Sequence, residues 1–397
     1  MKKVYLDHSA TTPLDREVLN DMLPYFCDDF GNANSMHSFG QTGAQAVDRA
    51  RRKIASLIGA KPNEIYFTSG GTEADNWAIK GMARKMRERG TKIITSAIEH
   101  AAILSSCKQM EKEGFTTEYL PVDGNGVVIE EAFKKALTPD TAIVSIMLAN
   151  NEIGTIQPIK RLAEMAHAKG AYFHTDAVQA VGSIKVDVNE LGVDLMSFSA
   201  HKFYGPKGIG VLYVRGGVKP DKLLTGGHQE RTMRGGTTNV PGVVGMASAL
   251  ERAVEKLDEN YNYVKSLRDR FVERVITEIP FTKYNGHPTQ RLPQNANFAF
   301  EYIEGESILM LLDLEGRACS SGSACSSGSL EPSHVLLATG LPIERSHGSI
   351  RFSFGKSNTI EDVDYTVEKL KQIVEKLRKM SPLYSEKVGK QCITKEY

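Results

Sequence analysis

The chain lacks an excess of charge, a long apolar run and any Cys-x-x-Cys pair, and each lack removes a class of function. Its 397 residues carry 49 basic and 48 acidic side chains, a net charge of +1. That balance argues against nucleic acid as the main partner, which asks for a basic patch or stripe. The longest apolar stretch lies near Ile308 to Leu314, far short of the ~18–20 residues a membrane span needs. No apolar core follows the charged start Met1-Lys2-Lys3, so no secretory signal is read there, and a cytoplasmic site of action without membrane contact is the expectation. Five cysteines are too few and too scattered for a disulfide framework in a chain of this length. No Gly-x-Gly-x-x-Gly follows the first strands, which weakens a dinucleotide-binding reading. There are no internal repeats.

What is present is an alternation of strands and helices. Strands are expected at Glu64–Thr68, Lys92–Ser96, Thr141–Met147, Ala171–Thr175, Asp194–Ser199 and Ile209–Val214. Helices are expected between them: Ala44, Val47, Ala50 and Ile54 recur at helical spacing before a stop at Gly59, and 71–89 and 160–169 read likewise. The pattern predicts an α/β fold with a mostly parallel sheet. Beyond about Asn260 the rhythm changes to a smaller α+β unit with strands at 296–302 and 349–354 and a closing helix at 359–379. The expected division is a large domain over 15–257, a small one from 1–14 and 258–380, and a polar tail over 381–397.

Four segments carry chemistry. Ser199-Ala200-His201-Lys202 ends an apolar strand. A lysine there is ordinarily just solvated, but a lysine of lowered pKa also forms Schiff bases with carbonyl cofactors. His174-Thr175-Asp176 ends another strand, where open α/β sheets bind ligands. Asp176 suits a pyridinium nitrogen that must act as an electron sink; its plainer role is a helix cap. Gln179 follows, within reach of a ring oxygen. Ser69-Gly70-Gly71-Thr72 joins a strand to a helix and reads as a phosphate cradle, a weak signal alone. His100 offers a flat face for stacking. The last segment, from Cys319 through Cys325 to Ser329, is nearly all Ser, Gly and Ala, so it reads as a mobile loop bearing a reactive thiol. A metal pair from Cys319 and Cys325 is disfavoured, because no further Cys/His cluster lies nearby.

Together these residues resemble the group I (NifS/IscS type) cysteine desulfurases of aminotransferase class V. The resemblance runs from Tyr5-Leu6-Asp7 to Ile350-Arg351-Phe352-Ser353. Its most specific motifs are Ser199-x-His201-Lys202 and Ser321-Gly322-Ser323-Ala324-Cys325-Ser326-Ser327-Gly328-Ser329-Leu330-Glu331-Pro332-Ser333. It implies fold type I of the PLP-dependent transferases, with a large seven-stranded-type sheet, and pyridoxal 5′-phosphate (PLP) as cofactor. It also implies the roles. Lys202 holds the cofactor and moves protons at Cα. Asp176 pairs with the ring nitrogen, Gln179 with the phenolic oxygen, and His100 stacks and serves as acid or base. Gly71, Thr72, Ser199 and His201 hold the phosphate, joined by Thr237 of a second subunit, which makes a homodimer. Asn151 lies beside cofactor and substrate, and Arg351 holds the substrate carboxylate. Cys325 takes sulfur from L-cysteine as a persulfide, alanine leaves, and the sulfur passes to an iron–sulfur scaffold or another acceptor. No metal site of the chain's own is implied, although Cys325 would be placed to ligate a cluster transiently with a scaffold. Gly71 departs from the usual alanine or cysteine, and Ala33 from the usual proline. The rivals are a selenocysteine lyase or aminotransferase on the same fold, and a non-catalytic sulfur or metal carrier.

Overall fold

The computed structural model describes residues 2–321 and 332–385. The strands are β1 (Val4–Tyr5), β2 (Ile65–Thr68), β3 (Lys92–Ser96), β4 (Thr116–Leu120), β5 (Thr141–Ser145), β6 (Tyr172–Asp176), β7 (Leu195–Ser199), β8 (Gly210–Val214), β9 (Thr282–Asn285), β10 (Asn295–Phe300), β11 (Arg317–Ala318) and β12 (Ser349–Ser353). Seven form one sheet in the order β2-β8-β7-β6-β5-β3-β4. Only β8 runs against the others. Its central strands β5, β7 and β8 are buried along their whole length. That is why Thr141–Ser145 and Leu195–Ser199 read as apolar runs rather than alternations: helices cover both faces.

The covering helices follow their own patterns. Ser38–Leu57 buries Ala46, Val47, Ala50 and Ile54, and Gly59 takes φ of 73° just beyond it, a backbone state that glycine adopts without strain. The nearly uncharged start of Val240–Glu255 packs into the same core. A further helix, Leu257–Glu278, begins where that one ends.

A second core lies around the antiparallel sheet β12-β10-β9. Phe271 sits at its centre, with ring centroids 4.6 Å from Phe352 and 5.3 Å from Phe354. Truncating such a buried ring to alanine costs about 3–5 kcal/mol. Val4 and Leu6 belong to this core, because β1 pairs with β11. The closing helix Ile360–Lys379 starts with a capping box between Thr359 and Asp362. From Leu6 the chain crosses to the large sheet as a strap: Ser353 N donates to Leu6 O at 2.7 Å, and Thr12 Oγ1 donates to His201 O at 2.9 Å.

Cys319 differs from expectation. It does not lie in an exposed polar loop but packs against the second core, next to a backbone bridge between Ser320 and Arg351. Arg317–Ala318 pairing with β1 draws the chain in. Cys325 lies outside the described residues, as does the rest of 322–331.

Candidate active site

The strands β2, β7, β6, β5 and β3 point their carboxyl ends to one edge, and the turns that follow them carry most of the candidate residues. This is the edge where open α/β sheets bind ligands. Asp176 ends β6, Ser199 ends β7, and Asn151 follows β5. His100 follows β3 as N-cap of the helix Ala101–Lys112, its Nδ1 accepting from Ala102 N at 3.1 Å.

Asp176 is 5 % exposed. Its Oδ1 accepts from Val178 N at 2.8 Å, so it also caps the turn that follows. Burial pushes its carboxyl up, while the nearby charges of His100 and Lys202 pull it down. Beneath it lies a floor of buried groups that burial keeps neutral. His174 bridges Ser145 Oγ and Ser197 Oγ, both at 2.9 Å, with its pKa lowered to about 3. Glu99 is raised to about 8, and Asp75 stands well above the carboxylate range, pushed by burial and then by Asp176. Asp75 and Glu99 carry no motif in the sequence; only their place in buried elements gives them weight.

Lys202 follows β7. Its Nζ donates to the carbonyls of Ser9 and Ala10 at 2.6 and 2.8 Å. Gln179, in the turn after β6, donates from Nε2 to the same Ser9 carbonyl at 2.9 Å. The strap over residues 7–12 thus brings Lys202 and Gln179 together, a contribution that nothing in the spacing of those motifs announces.

The helix Gly71–Met86 begins with no side-chain cap on its first turn. Its opening borders a cavity of about 350 Å³ lined by Ser69 to Glu73, Ser199, His201 and Lys207. Uncapped N–H groups, a hydroxyl and a lysine make an anion site. A Cβ at Gly71 would come 2.7 Å from Val178 Cγ2, so this neighbourhood explains the departure to glycine. His201 has its Nδ1 3.1 Å from Thr11 Oγ1. Burial, then Lys202 and Lys207, lower its pKa to about 4. It is therefore neutral and still a donor. Lys207 was not singled out by the sequence.

Arg351 is 2 % exposed. One terminal nitrogen donates to Asn151 O at 3.0 Å and the other to Asp7 Oδ1 at 2.7 Å. Its Nε has no hydrogen-bond partner among the described residues. The structure thus joins Arg351 and Asn151, and adds Asp7 as an unanticipated counter-charge. Thr237 is exposed and does not reach this chain's own cavity lining.

The residues suit PLP: an anion cradle at a helix start, a buried carboxylate at a sheet edge, and a lysine beside it. Residues 4–366 match the family described as aminotransferase class-V. The chain belongs to the aminotransferase class-V family. Within it, the chain is 55 % identical to the cysteine desulfurase IscS of Methanosarcina thermophila, over 96 % of this chain and 94 % of that protein. Among solved structures, a NifS-like protein superposes with a TM-score of 0.89 at 39 % identity, covering 95 % of this chain and all of that one. SspA in complex with cysteine superposes with a TM-score of 0.79 at 34 % identity, covering 90 % and 100 %. Members of this family use PLP, and the α/β fold with a mostly parallel sheet agrees with the sequence expectation.

Proposed function

We propose that the protein is a cysteine desulfurase: it removes sulfur from L-cysteine, releases alanine and carries the sulfur as a persulfide on Cys325. The observation that carries this is the convergence of Lys202, Asp176, Gln179 and the Gly71 cradle on one sheet edge, in a chain 55 % identical to a named cysteine desulfurase. PLP, when bound, supplies an electron sink for the pair released at the substrate Cα. Asp176 is the residue for its ring nitrogen, Gln179 for its phenolic oxygen, and Gly71, Thr72, Ser199 and His201 for its phosphate. His100 would stack on the ring and exchange protons there.

Arg351 anchors the substrate carboxylate with its guanidinium, using any contact released from Asp7, and Asn151 borders the same place. Lys202 takes and returns the proton at Cα. The Cys325 thiolate then attacks the substrate sulfur: a sulfur–sulfur bond forms, the carbon–sulfur bond breaks, and the remainder takes protons to become alanine. Only a thiolate has the nucleophilicity for this step.

The reading extends to a homodimer. Leu23, Phe26, Phe30, Met36 and Phe39 are all more than half exposed, an apolar patch of the kind that marks an interface. Thr237 would complete the phosphate cradle of the second copy. The division into 15–257 against 1–14 plus 258–380 is part of the same reading. So is delivery of sulfur to an iron–sulfur scaffold in the cytoplasm, a reducing compartment that fits the free thiols of Cys27 and Cys107. Product analysis tests the activity. The expectation is alanine without a keto acid from L-cysteine; a keto acid with amino transfer would replace this reading with an aminotransferase.

A further inference from the structure

The phosphate cavity has an acidic side chain in its wall. Glu73 lines it beside Ser69, Gly70, Gly71 and Thr72. The carboxylate shapes the turn into the helix, since its Oε2 accepts from Ser69 N at 2.8 Å. Its charge has the wrong sign for a site that holds a phosphate dianion.

Arg234 answers that charge. Its Nε donates to Glu73 Oε1 at 2.8 Å and a terminal nitrogen to Oε2 at 3.0 Å. The two side chains are only 20 % and 11 % exposed, so the pair is less screened than a surface one. Burial pushes the Glu73 carboxyl up, and the hydrogen bonds from Arg234 and Ser69 more than reverse it.

Arg234 is held in place by an unusual loop. Gly235 N donates to Leu224 O at 3.0 Å, and a Cβ at Gly235 would come 2.7 Å from Gly226 Cα. Glu230, Arg231 and Thr232 all take positive φ, at 46°, 56° and 69°, a strained run that needs support. Support comes from a bidentate pair of Glu230 with Arg51 at 2.7 and 2.8 Å, and from Arg231 lying 4.2 Å over the Tyr66 ring. The loop is thereby fastened to β2 and to the helix Ser38–Leu57.

We propose that Arg234 and Glu73 are a positioning pair for the cofactor phosphate: Glu73 shapes the cradle turn, and Arg234 cancels its charge so that a dianion is retained. This rests on the PLP reading above. The test follows cofactor loss from full-length protein by absorbance during dialysis, with PLP and with pyridoxal, which lacks the phosphate. Arg234→Ala should speed PLP loss about 10- to 100-fold, the size of an uncompensated, partly buried charge beside an anion, and leave pyridoxal loss unchanged. Glu73→Gln with Arg234→Ala should restore PLP retention to within about threefold of the parent, since the repulsive charge is gone. Glu73→Gln alone, which keeps an oxygen for Ser69 N, should retain PLP at least as well as the parent. PLP loss from Arg234→Ala no faster than from the parent, or a double variant no better than Arg234→Ala, overturns the charge-cancelling role. A parent protein that takes up no PLP would instead sink the cofactor reading, and this role with it.

Discussion

Asp176→Asn separates what the site does for the cofactor from what it costs the fold. The substitution is nearly isosteric. The asparagine oxygen can still accept from Val178 N, as Asp176 Oδ1 does at 2.8 Å, so the turn should survive. What is lost is a negative charge that is 5 % exposed. Removing one member of a buried ion pair costs about 3–5 kcal/mol. At one decade per ~1.4 kcal/mol, the lower half of that range predicts a fall in turnover of about 100- to 1000-fold. The cofactor-free protein should respond oppositely. Burial raises the Asp176 carboxyl above its ordinary value. The folded state therefore favours its protonated form, and stability is lost as pH rises through the raised value. A neutral amide escapes that penalty, so apo Asp176→Asn should melt at or above the parent's temperature at pH 8. The assays are alanine release by the reconstituted variant and thermal melting of both apo proteins. Turnover within threefold of the parent, with PLP bound, would refute the assignment of Asp176 to the ring nitrogen. A lower melting temperature for the apo variant would refute the argument about burial.

Three further outcomes are expected. Lys202→Ala should abolish turnover, and borohydride reduction followed by mass spectrometry should place the cofactor on Lys202 in the parent; a label on Lys207 would overturn that. Cys319→Ser should keep most alanine formation, and Cys319 should resist alkylation at pH 8, because burial, followed by Asp7 and Asp313, pushes its thiol well up; rapid labelling of Cys319 would contradict its packing. Glu99→Gln should flatten the pH dependence of melting: burial raises Glu99 to about 8, so its stabilising contribution is complete below about pH 4.5 and lost as pH rises through about 8. If parent and variant melt in parallel across that window, the buried floor is not neutral as described.

Much of the sheet was legible because its strands are buried on both faces. The six expected strands correspond to β2, β3, β5, β6, β7 and β8, with β3 matched end to end and the others shifted by one or two residues at one or both ends. The seventh, Thr116–Leu120, escaped because it lies at the edge, half exposed and mixed in polarity, so neither an apolar run nor a clean alternation marks it. The candidate residues at strand ends were legible because each follows an apolar run and a turn. Their partners were not. Asp7 beside Arg351, the carbonyls of Ser9 and Ala10 around Lys202, and Arg234 against Glu73 are contacts across more than 150 residues. Spacing within a motif holds no information about which distant segment closes over it. Cys319 was misjudged for a related reason: the composition of its segment is polar, but pairing of β11 with β1 carries its start into the second core.

The central claim is that sulfur leaves L-cysteine and lands on Cys325. The most direct test is peptide mapping by mass spectrometry after the PLP-loaded protein is mixed with L-cysteine in amounts equal to its sites and quenched without reductant. The account predicts one added sulfur on the peptide containing Cys325, one alanine released for each sulfur retained, and no added mass on Cys319. Alanine release that persists in Cys325→Ser, or added sulfur found on Cys319 in its place, would contradict it.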